Sequence, residues 1–510
     1  MLFIGLIYIR LAQSFKSDKM KKSFLLILTI ALFLTASAQP FNSYQSFIHN
    51  LDSITKITDN TQRDAAITKL WNWLKTNDQI PFRWDKNVAF IYKGTASKVY
   101  YAGDMNGWGS SSESYDAIKQ NLSNIWLLEK EYPIDARLDY KLILNGNNWI
   151  MDPDNPHVQM SGFGNNSELR MPGWEPSPYI TLGAGVNRGL LSNDIRIKSS
   201  NLGYDVQYKV YIPFGYDNLF SLPVMYVTDG HEYANNQMGS MVIVLDNLIH
   251  LEYIKPIIVV FIDPRNPDNL SQNRRAVEYT GNSSFANFVA DELVPLIDAN
   301  YKTNPTADAR GILGTSYGGN NASYFGVKRS DVFHLIAPQS PAFFDETFSA
   351  YQTSDLLPLK TYITTGVIYD TEDKANKMVT ILENKGYEYK ITKVNEGHSW
   401  GNWRALLDDM LINFFSDNGT QQISNSTTEK LAIFPNPTKN SFSVIIPSGG
   451  VYSLEWYDVL GRCVYKIPHT EPFIKNQEYM FSVPFTLTKG IYQLQLRNNT
   501  HQFTMRVLLN

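Results

Sequence analysis

Gly314-Thr315-Ser316-Tyr317-Gly318-Gly319 decides how the rest of this chain reads. The stretch follows a short apolar run, Gly311-Ile312-Leu313, and leads into Asn320-Asn321-Ala322-Ser323-Tyr324-Phe325-Gly326, which reads as a helix. A strand, then G-x-S-x-G, then a helix is the setting of a nucleophile elbow. The reason is steric: a serine on a strained strand-to-helix turn needs neighbours without Cβ atoms if its hydroxyl is to project above the sheet. A Gly-rich strand-to-helix loop of no catalytic use would look the same, so the remaining parts must come from elsewhere in the chain.

A serine hydroxyl is a weak nucleophile until a base takes its proton, and that base is normally a histidine held by a carboxylate. The chain has eight histidines. His49 precedes the sheet-rich regions, His157 belongs to the first of them, and His469 and His501 sit near the C-terminus. His250 and His334 lie in or beside apolar runs and read as core histidines. His398, in Asn395-Glu396-Gly397-His398-Ser399-Trp400, falls in the loop between the last expected strand and the last expected helix. That agrees with the chain order Ser, acid, His. His231, in Asp229-Gly230-His231, is the competitor, but it precedes the serine. The acid should end the intervening strand, Tyr362-Ile363-Thr364-Thr365-Gly366, which favours Asp370 and leaves Glu372 and Asp373 as alternatives; Asp373 equally suits a helix first turn. The oxyanion hole needs two backbone donors. Tyr317 supplies one, and Gly230 or His231 the other.

Outward from this centre, residues from about Ile195 to Phe415 alternate strands and helices, which implies a mostly parallel sheet with both faces covered. Strands are expected at Val206–Pro213, Leu222–Thr228, Ile257–Ile262, Arg310–Leu313, His334–Pro338, Lys360–Thr365 and Glu388–Val394. Helices are expected at Phe285–Asn300, Asn320–Arg329, Asp373–Lys385 and Trp403–Phe415. The N-terminal part shows helical periodicity (Phe47, Leu51, Ile54, then Ala65, Ile67, Leu70, Trp73) and then short alternating strands with an Asn145-Gly146 turn. Ser416 to Lys430 is polar and reads as a linker, and the last eighty or so residues return to short strands.

The expected organisation is a signal region at 1–38, a helical segment at 39–80 and a β-sandwich at 81–175. An α/β domain at 190–416, a linker at 417–430 and a second small β-sandwich at 431–510 follow. Lys21-Lys22, the apolar run Phe24 to Leu34 and Ala36-Ser37-Ala38 have the form of a cleavable signal peptide, with translation expected to start at Met20. The run is too short for a transmembrane anchor.

A chain of 510 residues carries about three domains. Its net charge of -4 with 18% charged residues offers no basic stripe for nucleic acid. Aromatic residues at 13% fit a sheet-rich exported protein with stacking surfaces. The single cysteine, Cys463, excludes an intramolecular disulfide, and with no H-E-x-x-H pair no metal or other cofactor is expected.

With these residues placed, the central region resembles the esterase D family of α/β-hydrolases, close to carbohydrate esterase family 1. The matching stretches are Val224–Gly230, Arg274–Tyr279, Asp291–Ile297, Gly314–Gly319, Gln339-Ser340-Pro341 and Gly397-His398-Ser399-Trp400. The resemblance implies a serine esterase using Ser316, His398 and Asp370. Three residues, Val367-Ile368-Tyr369, intervene before the acid where that family is usually shorter. Trp400 and Arg274 are candidate substrate contacts.

The first sandwich resembles glycogen-binding-type modules of carbohydrate-binding family 48, on Ala102–Trp108, Tyr140–Gly146 and Trp149-Ile150-Met151-Asp152-Pro153. Trp108, Trp126 and Trp149 are then candidates for stacking on sugar rings, and the alternative is that they anchor the core or its turns. The tail resembles the sorting domain of type IX secretion, on Ile433–Pro437, Tyr457–Arg462 and Lys489–Tyr492, which implies the secretion machinery as a partner. The combined expectation is a secreted esterase acting on feruloyl or acetyl esters of plant-type polysaccharides. The alternatives are a siderophore trilactone esterase, with Arg265, Arg274, Arg275 and Arg404 as its available cations, and a non-catalytic glycan-binding protein.

Overall fold

The computed structural model describes residues 41–416 and, discontinuously, 432–509. The expected signal region, Met20 and the linker at 417–430 lie outside the described residues, as do His469, His501 and parts of the tail motifs. The chain packs as two compact units. One runs to Glu175 and includes the later segment Asn395–Gly397; the other holds Pro176–Val394 and the chain from His398 onward.

The first unit begins with helices Tyr44–Thr55 and Asn60–Thr76. Each starts where a side chain can satisfy a free first-turn N–H. Ser43 Oγ accepts from Ser46 N (3.0 Å), and Asp59 Oδ1 accepts from Gln62 N (2.8 Å). Their apolar faces, with Phe47, Leu51, Leu70, Trp71 and Leu74, cover Phe82, Ala89, Ile91, Ile125 and Leu127 of a four-stranded antiparallel sheet. The Phe47 ring lies flat on Phe82 at 3.8 Å. A second, five-stranded sheet carries Tyr101 and Tyr140, whose rings meet Phe90 of the first sheet at 5.0 and 5.3 Å. Large apolar side chains alternating along these strands thus close a two-layer core.

Buried carboxyls give this unit a pH signature. Burial raises Asp152 to about 6 and Glu396 to about 7, and burial with the Asp139 charge raises Asp104 to about 7. Burial alone would also raise Glu168, but Arg137 and Arg170 hold it at about 2. Where folded carboxyls bind protons more tightly than unfolded ones, stability falls as pH rises, here between the ordinary carboxylate range and about 7. Glu168 acts with the opposite sign and only at lower pH. Hydrogen-exchange protection of peptides spanning residues 137–170, corrected for intrinsic rates, should therefore fall from pH 5 to pH 7.5. Protection that rises over that window would contradict this assignment.

The second unit is built on a nine-stranded mixed sheet. Its main strands are β1 (Asp205–Ile212), β2 (Val224–Val227), β3 (Ile258–Asp263), β4 (Arg310–Thr315), β5 (Leu335–Gln339), β6 (Lys360–Gly366) and β7 (Glu388–Val394). They lie in the order β1-β3-β2-β4-β5-β6-β7, and the short strands Leu190–Leu191 and Ile195–Lys198 pair with β1. Only β1 runs against the rest; the two short edge strands are antiparallel to β1 and so share the direction of the others. Successive residues of a strand face opposite sides, yet Val224, Met225, Tyr226 and Val227 are all at most 1% exposed. Both faces of the sheet are therefore covered, as the alternation of strands and helices predicted.

The helices depart from expectation in three places. Met241–His250 (α1), where no element is expected, is a helix buried nearly all round, with His250 exposed at its end rather than in the core. The helix expected over Phe285–Asn300 is interrupted by a wide π-type turn at Phe288–Leu293. The physical reason is Pro295, which lacks an N–H and crowds the carbonyl four residues back. The helix expected at Trp403–Phe415 divides at Leu406 into Trp400–Ala405 and Leu407–Phe415. Tyr317–Lys328 (α2) and Glu372–Lys385 (α3) start within a few residues of expectation.

The described part of the tail forms a three-stranded and a four-stranded antiparallel sheet around Phe442, Leu454, Trp456, Leu494 and Val507. Cys463 is free and exposed there.

Candidate active site

Parallel β2 and β4 to β7 end at one edge of the sheet, where open α/β sheets collect their functional loops. Ser316 follows β4, Ser340 follows β5, Asp370 follows β6, and His398 follows β7 after three intervening residues.

Ser316 sits at φ 59, ψ -116, a left-handed region that non-glycine residues seldom occupy. Ser316 itself is held by backbone: Ser316 N–H donates to Gln339 O (3.0 Å), and Ser316 O accepts from Ala342 N (3.0 Å) and Asn320 N (3.1 Å). The flanking glycines are required by space. A Cβ on Gly314 would lie 2.3 Å from both Gly318 O and Thr228 Oγ1, and one on Gly319 would lie 2.9 Å from Gln339 O. Gly314→Ala should therefore lower Tm by about 5–10 °C, the cost of forcing a methyl against backbone. A thermal melt unchanged within 1–2 °C would show that the turn relaxes freely (compare about 2–4 °C per kcal/mol).

His398 Nδ1 donates to Asp370 Oδ1 at 2.7 Å. Asp370 is buried and accepts from four other donors: Ser340 Oγ (2.6 Å), Gly366 N (2.6 Å) and, more weakly, Thr365 Oγ1 and Asn402 Nδ2 (3.4 Å each). Burial opposes its charge, but the His398 hydrogen bond and charge, with Ser340 and the Gly366 N–H, outweigh it and hold the carboxyl below its ordinary value. Trp403 donates Nε1 to Ser340 Oγ (2.9 Å) and meets the His398 ring edge-on at 5.0 Å. The imidazole is thus fixed on one side by a carboxylate and on another by an indole. Glu372 and Asp373 open α3 instead, and Glu372 pairs with Lys393 at 2.9 Å.

The loop after β2 carries Gly230 and His231. The glycine is required by the neighbouring strand, because a Cβ there would lie 2.3 Å from the Phe261 carbonyl carbon. First-turn N–H groups of the short helix Gly230–Tyr233 and of α2 have no carbonyl four residues back to bond. Tyr317, Gly230 and His231 therefore lie in segments with backbone donors to offer. His231 faces Asp263 at 3.4 Å, and burial holds its pKa below the ordinary value, so its ring stays neutral near pH 7. The structure gives His231 no carboxylate partner arranged like the His398–Asp370 pair.

Trp400 is buried, meeting Tyr233 and Trp403 edge-on at 4.9 and 5.1 Å, so it forms wall rather than an open stacking face. Arg274 lies over the Tyr204 ring at 4.0 Å and donates to Asp205 O. Its neighbour Arg275 is the cation at the nucleophile turn. It pairs with buried Asp229 through Nε and Nη2 (both 3.0 Å), reaches Thr315 O (3.5 Å) and lies over the Tyr317 ring at 5.5 Å. Sequence reasoning missed the Asp229–Arg275 pair, although both residues fall in stretches that carried the family resemblance. Glu232 was missed as well: it is raised to about 7 by burial and the Asp229 charge, against a hydrogen bond from Trp400. In the other unit, Trp108 is at the margin of exposure with Nε1 bonded to Asp104 Oδ1 (3.2 Å), Trp149 is exposed, and Trp126 is buried.

Sheet order, elbow and strand-end loops define an α/β-hydrolase fold. Residues 199–414 match the family model described as "Putative esterase", and residues 432–510 match that of a secretion system C-terminal sorting domain. The chain is 25% identical over 225 residues to the uncharacterized protein YjcH of Bacillus subtilis, covering 42% of this chain and 92% of that one. It is 24% identical over 309 residues to the endo-1,4-beta-xylanase/feruloyl esterase of Xylanibacter ruminicola, covering 58% of this chain but only 41% of that longer relative. Among solved structures, the ferric enterobactin esterase of Salmonella typhimurium superposes with a TM-score of 0.57 at 18% identity, over 67% of this chain and 97% of that one. That likeness is one of fold. The protein thus carries an esterase-family domain and a sorting tail that marks it for export across the outer membrane. Among the described residues no helix is long and apolar enough to cross a membrane.

Proposed function

We propose that this protein is a secreted serine esterase that hydrolyses feruloyl or acetyl esters on plant-type polysaccharides. The observation that carries the reading is the 2.7 Å His398–Asp370 pair at the strand edge where Ser316 occupies its strained turn. Ser316 Oγ attacks the acyl carbon as His398 takes its proton; Asp370 fixes the tautomer and balances the imidazolium. The oxyanion is met by the Tyr317 N–H and by Gly230 or His231. Collapse expels the sugar alkoxide, which receives the proton from His398. A water, deprotonated by the same imidazole, then cleaves the acyl-enzyme to free acid and Ser316.

Support for the acyl class comes from the relative whose name includes feruloyl esterase. The N-terminal sandwich, with the exposed Trp149 and the half-exposed Trp108, would present the glycan. Export would begin at the signal region and finish through the type IX machinery. The siderophore alternative needs surplus positive charge for catecholates. Arg265 is instead doubly bonded to Asp263, and Arg275 to Asp229, so two of the four candidate cations are already matched by carboxylates.

The test is to treat the mature protein with a serine-directed fluorophosphonate, map the label, and assay methyl ferulate, acetylated xylan and a cyclic catecholate trilactone. Labelling at Ser316 with turnover of the first or second substrate is expected. No label would sink the esterase reading in favour of a non-catalytic protein, and turnover of the trilactone alone would replace the substrate class.

A further inference from the structure

Gln339 closes β5, the strand between β4, which leads to Ser316, and β6, which leads to Asp370. It is fully buried, and so is Tyr233. Its carbonyl accepts from Ser316 N (3.0 Å). Its side-chain amide uses both ends: Oε1 accepts from Tyr233 Oη (2.7 Å), and Nε2 donates to Trp403 O (2.9 Å). Tyr233 ends the short helix that carries Gly230 and His231. There Tyr233 N donates to Asp229 O (3.2 Å), and Ala234 N donates to Gly230 O (2.9 Å). Trp403 lies in the helix Trp400–Ala405 that follows His398, and its ring meets the imidazole edge-on. The residue after Gln339, Ser340, adopts φ 38 and links Trp403 Nε1 to Asp370.

A fully buried amide is costly unless it is bonded, and an apolar side chain would fill the end of a covered strand at less cost. This amide is bonded instead to segments 106 positions before it and 64 after it, neither of which pairs with β5 as a strand. Such a bridge fixes spacing, because a satisfied buried network rigidifies the groups it joins. We propose that Gln339 is a positioning residue of the site: its amide holds the Gly230–Tyr233 helix and the helix after His398 at a set spacing about the Ser316 turn. The inference rests on the esterase reading and adds to it the residue that keeps the oxyanion loop and the base in register.

Gln339→Met, which keeps the length of the side chain and removes both bonds, Tyr233→Phe and the double variant are measured in the full-length mature protein. Turnover is expressed per site titrated by the fluorophosphonate. Gln339→Met should lower kcat about 10²-fold, the scale of an ångström-sized misplacement, with KM within threefold. Inhibition by phenylboronic acid, whose serine adduct is tetrahedral, should weaken in step, because the loss falls on the transition state. Tyr233→Phe should lose about tenfold (roughly 1.4 kcal/mol), and the double variant no more than Gln339→Met, since both changes cut the same tie. A purely structural role would reduce the number of titratable sites and leave kcat per site and boronate affinity unchanged; that result overturns the proposal, as do losses that multiply in the double variant. Should Gln339→Met fail to fold, Tyr233→Phe, which removes one hydroxyl, decides: the tenfold loss supports the proposal, and wild-type kcat overturns it. An unlabelled, inactive parent protein would sink the esterase reading and this inference together. An active parent with unaltered variants would sink the inference alone.

Discussion

Ser316→Ala should lower kcat by roughly 10⁴–10⁶-fold and abolish fluorophosphonate labelling, with Tm almost unchanged. The separation of effects follows from how the turn is made. Its hydrogen bonds run through Ser316 N and Ser316 O, to Gln339, Ala342 and Asn320, and none of them uses the hydroxyl. Alanine keeps the same Cβ at the same φ, so the strain already present in the serine turn is neither relieved nor increased. What disappears is the nucleophile. Residual turnover above the uncatalysed rate would come from the oxyanion donors and from binding, on the order of 10³-fold. A variant retaining more than a tenth of wild-type kcat would place the nucleophile elsewhere.

Asp370→Asn should cost about 10⁴-fold in kcat, the scale seen when a triad acid becomes an amide. The carboxylate accepts from Ser340, Gly366, Thr365 and Asn402 on one oxygen and from His398 on the other. An amide has one acceptor oxygen, and its NH₂ must face a donor. If it turns toward the imidazole, Nδ1 loses its proton and His398 takes the tautomer that cannot accept from Ser316. If it turns toward Ser340 and Gly366, two donors are left short, at about 1–3 kcal/mol each. Stability should therefore fall along with activity, unlike Ser316→Ala. The wild-type pH dependence carries a matching sign: the Asp370 carboxyl is held below its ordinary value, so its contribution is present above the usual carboxylate range and is lost as pH falls through the folded value. Wild-type kcat in Asp370→Asn would rule out this acid. Replacing Glu372 or Asp373 should have little effect on kcat.

The legible parts of this site were those with local signals. Ser316 is announced by glycines within two residues of it, and β4 and α2 flank it as expected. Asp370 and His398 are 28 positions apart, yet each follows a strand that periodicity located, and the structure brings them together. The unread parts depend on partners far along the chain that no pattern connects. Ser340 falls in the Gln339-Ser340-Pro341 stretch, but its work, bridging Asp370 and Trp403, depends on β5 lying beside β6. Gly230 looked like a site glycine because it follows β2, whereas the backbone of β3 is what excludes a side chain there. Arg274 and Arg275 are neighbours in sequence; only the turn of the chain sends one to Tyr204 and the other to Asp229. The broken helix at Phe288–Leu293 was foreseeable from Pro295, since proline's effect is local.

That Asn395–Gly397 belong to the first unit also bears on how the chain is made. Domains generally fold from the N-terminus as they are synthesised, at about 5–20 residues per second. Here the first unit cannot finish until the ribosome has passed from Glu175 to Asn395, roughly 10–40 s later at that pace. Until then Arg137 has Asp139 and Glu168 but lacks Glu396, and the space above Asp104 is unfilled. The first unit is thus closed by residues synthesised after nearly all of the esterase domain, so its last contacts form only when that domain's chain is already made.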